Sequence, residues 1–218
     1  MGLVSAAYNG IHNAGLYGSL KSAFYSTKFT GDPTSLVLHS KVIPEISPDT
    51  DFDINNQLSV GIKPSSGTHP RLGRSLFKTR AGSSVSHTGE ERARIGHRSV
   101  VHIKGDFSIG DSYINGDSRI LCYEDITIGD GCNIAWECEM MDYDGHQIDY
   151  DGEKPSTKEP IEIQDHVWIG RSVIINKGVT IGEGSVVASG SVVVSDVTNN
   201  TLVAGNPAEV VREGVNWE

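Results

Sequence analysis

The segment MDYDGHQIDYDGEKPS, residues 141–156, places His146 two and four residues after Asp144 and Asp142. An imidazole ionises near pH 6.5, so at neutral pH it can take a proton from a hydroxyl as a general base. A neighbouring aspartate would orient the ring and favour its charged form. Asp142, Asp144 or a backbone carbonyl can fill that place, and the DG pair is equally a common turn former. His97 and His102 stand five apart, a spacing a metal pair can use, but His146 has no such companion, and no metal is expected. His166 reads as a corner residue, and His12, His39, His69 and His87 read as surface groups. The rings of Trp136 and Trp168 can wall a ligand or stack on a sugar face, or simply pack.

The elements that must hold these groups follow a period of six. Ile163, Ile169, Ile175, Ile181, Val187 and Val193 recur without a slip, and Ile161, Val167, Val173 and Val179 stand two residues before the first four. A helix would repeat at three and four. A pair of β-branched residues followed by a small one reads instead as a short strand and a corner. One such strand cannot bury its apolar side alone, so coils of about 18 residues stack into a solenoid with three sides. Upstream, Ile103 and Ile109 keep the phase, Ile114, Ile120 and Ile126 shift it, and Ile128, Ile134 and Met140 shift it again. Each shift implies an extra residue at a corner. The alternation from Ser35 to Gly67 reads as degenerate coils. The stretch around His146 breaks the rhythm after Met140, and the coils resume at Ile161, which predicts a loop extruded over about 141–160. Residues 1–30 predict a short helix with Val4, Tyr8, Ile11, Leu16, Leu20 and Phe24 near one face, weakened by Gly10, Gly15 and Gly18.

The run VWIGRSVIINKGVTIGEGSVVASGSVVV, followed by VAGNPAEVVR, resembles the hexapeptide-repeat acyltransferases. The block IGDGCNIAWECEMMDYDGHQI is similar to the sugar and capsular polysaccharide O-acetyltransferases of that superfamily, and the resemblance covers roughly residues 100–212. It implies an all-β fold, a left-handed parallel β-helix over 31–212 with residues 213–218 as a tail, assembled as a homotrimer. It implies acetyl-CoA as co-substrate and a sugar or polysaccharide as acceptor. By the same resemblance His146 and Trp168 are the catalytic pair. Gly170, Arg171, Ser189 and Gly190 meet the cofactor, with Arg212 as a further cation. Val194 and Ser195, also cofactor-binding candidates by this resemblance, stand where many relatives carry Thr-Lys and lack that lysine's contact to phosphate. Asn115, Asp144 and Trp136 are candidates for the acceptor. The related γ-type carbonic anhydrases bind zinc through histidines five apart, but here that spacing lies upstream of the Gly-rich coils.

Composition narrows the function further. The 218 residues carry 28 acidic and 18 basic side chains, a net charge of −10, which disfavours nucleic acid as a partner. No apolar run has the length of a membrane span, and the first residues make a poor signal peptide. Three cysteines without paired spacing fit a reduced, cytoplasmic protein. The reading is O-acetyl transfer from acetyl-CoA to a sugar hydroxyl by direct attack, with a Gly170–Arg171 backbone N–H as a donor to the carbonyl oxygen. The alternatives are N-acetylation of an amino sugar or nucleotide sugar, and a non-catalytic β-helix that binds ligands.

Overall fold

Short β-branched strands, each closed by a small or left-handed residue, bend the chain around three flat sides per coil. The structure, a computed structural model, describes residues 18–39, 41–62 and 73–218. Apart from one helix over 18–30 the described chain is β and irregular structure, wound as a left-handed parallel β-helix. The first sheet runs from Leu36–Leu38 to Thr201–Gly205, and the second from Val42–Glu45 to Val192–Val193. The third runs from Asp51–Ile54 to Thr180–Ile181. The chain visits them in that order, so a first corner joins sheets one and two, a second joins two and three, and a third returns to sheet one.

The six-residue repeat becomes the core. Ile163 pairs with Ile181, Ile169 with Val187 and Ile175 with Val193, each 18 residues on, and all six side chains point inward. Burying each isoleucine contributes about 2 kcal/mol. Upstream coils are longer: Ile95 meets Ile114 after 19 residues, and Ile114 meets Ile134 after 20. Those added corner residues are the phase shifts seen in the sequence. Leu36, Leu38, Leu58 and Val60 fill the first coils in the same way. Cys122, Cys132 and Cys138 are free and buried in the stack, each with its sulfur against a backbone carbonyl.

From Arg98 onward the first corner is closed by one left-handed residue per coil. Arg98, Asp117, Glu137 and Ser172 have φ of 61, 64, 63 and 58°, and Gly190 has 77°. Gly170 lies just before this corner, where a Cβ would come within 2.6 Å of the Ser189 backbone nitrogen. Only glycine lets successive coils approach that closely.

The helix does not bury the face expected for it. Leu20 and Phe24 are exposed, while Val4, Tyr8, Ile11 and Leu16 lie outside the described residues. Ser22 and Ser26 are buried instead, because their hydroxyls accept the N–H groups of Leu38 (3.0 Å) and Leu36 (2.9 Å) on the first strand of sheet one. Polar capping of an open sheet edge orients the helix, together with Tyr25, which packs on the core, and Phe29, whose ring lies 5.6 Å from that of Phe52. At the other end of that sheet, Thr201–Gly205 turns back into the antiparallel strand Ala208–Glu213.

His87 also departs from expectation. It is 1% exposed, and its Nε2 lies 3.0 Å from Asp111 Oδ1. Its Nδ1 accepts the Asn56 N–H at 3.4 Å. That pairing fits the tautomer with the proton on Nε2.

Candidate active site

The second corner opens once. Where other coils turn within a few residues, the chain leaves sheet two after Glu139–Met141 and rejoins sheet three at Ile161–Ile163. An arm over 142–160 projects between them.

Its root is held by polar anchors. Asp142 is fully buried, and its carboxylate accepts the N–H groups of Tyr123 and Glu124, both at 2.7 Å. Burial, the largest influence, raises the Asp142 pKa above its ordinary value, and the two N–H bonds oppose it only in part. On the next coil, Lys177 Nζ lies 2.5 Å from Glu159 and 3.5 Å from Asp144. The Glu159 hydrogen bond, followed by smaller effects that include the Asp144 charge, raises the lysine pKa despite the opposing cost of burial. Lys158 donates to the Tyr123 carbonyl at 3.0 Å. Tyr143 stacks on Tyr123 with ring centres 4.8 Å apart and planes 9° apart.

His146 follows Gly145, whose φ is +80°. Its side chain is exposed, and among the described residues no hydrogen bond engages it. The two aspartates proposed to orient it are otherwise occupied. Asp142 holds the backbone of the preceding coil, and Asp144 faces Lys177.

The remaining predicted residues lie elsewhere. Trp168 stands on the exterior of sheet one, 44% exposed, in register with Val186 and then Leu202, and Arg212 pairs with Leu202 across the terminal hairpin. Around the adjacent first corner, Trp136, Arg171 and Ser189 follow one another on successive coils. Ser172 N–H donates to Trp136 O (2.9 Å), and Gly190 N–H donates to Arg171 O (2.8 Å). Arg171 also reaches Glu137 at 3.4 Å. Asn115 lies on the same corner but is buried, and its amide donates to Ile134 O at 3.0 Å. Val194 and Ser195 are exposed and stand on the second corner, two coils past the arm. Trp168, Gly170, Arg171, Ser189, Gly190, Arg212, Trp136 and Asn115 therefore gather on one side of the prism. His146, Asp144, Val194 and Ser195 gather along another edge.

One local assignment is corrected. The N–H of Gly170 donates to Val187 O at 2.8 Å, and that of Arg171 to Ser189 Oγ at 3.1 Å. Coil stacking uses both donors, so neither is left to hold a carbonyl oxygen in this chain.

The arm's anchors were missed in the sequence. Lys177 and Tyr123 become neighbours of the arm only once coil lengths are known. Trp217, in the C-terminal tail, forms a reciprocal lock with His166. The indole N–H donates to His166 O at 2.9 Å, His166 Nε2 lies 3.0 Å from Trp217 O, and the rings stack at 4.2 Å. This lock brings the Trp217 ring to 6.0 Å from that of Trp168.

Comparison with known proteins supplies the lineage of this geometry. The family described as bacterial transferase hexapeptide (six repeats) matches residues 160–195. An uncharacterized 24.8 kDa protein from the cps region of Klebsiella pneumoniae is 34% identical over 160 residues, which span 62% of this chain and 69% of that protein. The polysialic acid O-acetyltransferase of Escherichia coli O1:K1 / APEC is 44% identical over 94 residues. That match spans 42% of this chain but only 31% of the relative's length. Among solved structures, the polySia-specific acetyltransferase NeuO superposes with a TM-score of 0.68 at 24% identity, over 85% of this chain and 76% of that one. At that identity the superposition speaks for the fold alone.

Proposed function

The chain belongs to the bacterial hexapeptide transferases and is an acyltransferase, and on that premise we propose that it moves an acetyl group from acetyl-CoA to a hydroxyl of a sugar or polysaccharide. The observation that carries the reading is the arm. At the second corner one excursion leaves the coil stack, is anchored at its root by Asp142 and Lys177, and presents an exposed histidine that no hydrogen bond engages among the described residues.

Acetyl-CoA supplies an activated carbonyl joined to a good leaving group. His146 takes the proton of the acceptor hydroxyl as its oxygen attacks, a service worth on the order of 10²–10⁴-fold. The residues on sheet one and the first corner suit the donor: Trp168 offers a flat apolar wall, and Arg171 and Arg212 offer cations for phosphate. Transfer is direct. Burial pushes the Cys138 thiol up to about 11 and raises those of Cys122 and Cys132, so none supplies a thiolate nucleophile.

His146 and the donor residues sit on different edges of one chain. A second copy set beside the first would bring the arm of one against sheet one of the other, which supports a homotrimer with shared sites. The exterior of sheet two carries Leu121, Met141, Ile174 and Val192 beside the Arg119–Glu139 ion pair and Asn176. Among the described residues no helix is long and apolar enough to cross a membrane, and the three free cysteines fit a cytoplasmic setting.

The test is thiol release from acetyl-CoA across a panel of sugars, amino sugars, nucleotide sugars and polysaccharides, with the product's linkage assigned by NMR. An ester on a sugar oxygen is expected. An amide on an amino sugar would replace this reading with N-acetylation, and no acceptor-dependent release would favour a binding protein. Light scattering is expected to give three times the chain mass.

A further inference from the structure

A line of cations and aromatic rings leads along the second corner from the arm toward the first coils. Tyr143 and Tyr123 form its near end. One coil further, Lys104 Nζ sits 4.0 Å above the centre of the Tyr123 ring, and His102 meets that ring edge-on at 5.5 Å. One coil beyond stand Lys78 and Arg80, in register with His102 and Lys104. The line ends in a groove of about 590 Å³ lined by Tyr25, Lys28, Phe29, Lys78 and Arg80, among others. Tyr25 and Phe29 lie there with planes 10° apart.

Lys78 is paired with Glu45, and Lys158 with Glu124. Among the described residues neither Arg80 nor Lys104 forms an ion pair, although Glu45 feels the charge of Arg80, and both cations are exposed. The crowding of positive charge is visible at His102, whose pKa is lowered first by burial and then by Lys104, Arg80 and Lys78. The neighbouring exterior of sheet three has the opposite sign, with Asp51, Asp53, Asp106, Asp125 and Glu162 on it. In a chain of net charge −10, a polyanion gains nothing from the overall field. It can settle only where cations are concentrated, and here the acidic sheet confines it to the corner. Coils rise by about 4.8 Å each, so the line from Tyr143 to Arg80 spans roughly 14 Å, the scale of several sugar rings. It leads away from the later coils that carry Arg171, Ser189 and Arg212, which separates it from the proposed donor side.

We propose that this corner is a binding track for a carboxylate-bearing polysaccharide. Arg80, Lys104 and the groove at Lys28 grip acidic residues of the polymer remote from the sugar being acetylated, and Tyr143, one face of which is covered by Tyr123, offers its other face to a sugar near the arm. The proposal rests on the reading of a polysaccharide acceptor and names its chemical class.

Binding is tested apart from catalysis. Fluorescence anisotropy would follow labelled polysialic acid and polygalacturonate at low and at 0.3 M salt, with neutral dextran and a single-stranded oligodeoxynucleotide as comparators. The wild-type chain is compared with Arg80→Glu/Lys104→Glu and with Arg80→Gln/Lys104→Gln, whose fold is checked by circular dichroism. At least one anionic glycan is expected to bind, more weakly at high salt. The charge reversal is expected to weaken it roughly tenfold and the neutral pair by less, while the KM for acetyl-CoA stays unchanged. Unchanged affinity in the charge-reversed chain, no binding of either anionic glycan, or equal binding of dextran or of DNA would overturn the track. Thiol release is scored separately. Binding without acetyl transfer would leave the track standing and remove the catalytic reading, and transfer to a neutral polymer without anionic binding would do the reverse.

Discussion

The first and second corners of the prism solve the same turning problem differently. From Arg98 onward the first corner keeps one left-handed residue in every coil and never opens. Its glycine at 170 and its hydroxyls hold adjacent coils at close range. The second corner lacks that repeated device and opens to release the arm. A closed corner places side chains at the fixed spacing of the coils. An open corner can carry a side chain away from the stack, which a base needs if it is to reach a substrate. Rigidity and reach are thus divided between two edges of one scaffold.

Substitutions along the two corners sharpen that contrast. His146→Ala is expected to cut acceptor-dependent thiol release by about 10²–10⁴-fold and to leave the thermal midpoint where it was, since the side chain is exposed. Full activity in this variant would remove His146 from the mechanism. Asp142→Ala strands the buried N–H groups of Tyr123 and Glu124, at a cost of about 1–3 kcal/mol. Urea titration would read that loss, and activity is expected to fall with it as the arm's root loosens. At the closed corner, Gly170→Ala forces apart backbone already in contact and is expected to cost about 1–3 kcal/mol. Gly190→Ala meets open space, but at a φ of 77°, and is expected to cost about 1 kcal/mol. If the two glycine variants melted together, closeness of coils would not be what that corner protects.

The smallest expected effect lies at the third corner and depends on pH. At Asp111, burial is the largest influence and raises the pKa. The N–H of Glu91, the ring of His87 and the N–H of Glu90 together outweigh it and hold the carboxyl below its ordinary range. A depressed carboxylate contributes stability that is present above its unfolded pKa and is lost as pH falls through the folded value. Asp111→Asn is therefore expected to be less stable than wild type at neutral pH and to lose less on acidification, which thermal melts between pH 7 and pH 3 would show.

Much of this was legible in the residues. The strict sixfold run from Ile163 to Val193 fixes three sides and an 18-residue coil, because each side must place one apolar residue inward. The gap between Met140 and Ile161 marks the arm for the same reason. The helix orientation was not legible, since hydroxyls that cap a strand edge carry no apolar signal, and Ser22 and Ser26 look like surface residues in the sequence. His87 was misread because its burial is offset by Asp111, 24 positions away. The division of the candidate residues between two edges was also hidden. Spacing along the chain says which residues share a coil, but the added corner residues blur which edge each one lands on.

The two ends of sheet one carry one more consequence. A stack of parallel strands has no natural stopping point, and each bare terminus is a template on which another chain can add. The serines of the helix occupy the hydrogen-bonding groups of one terminus. At the other, the antiparallel return of Ala208–Glu213 reverses the strand direction and presents Glu209, Arg212 and Glu213 at the rim. Charged, reversed or occupied edges resist further pairing. The same backbone logic that builds the molecule would otherwise extend this sheet, and these two short elements close it at both ends.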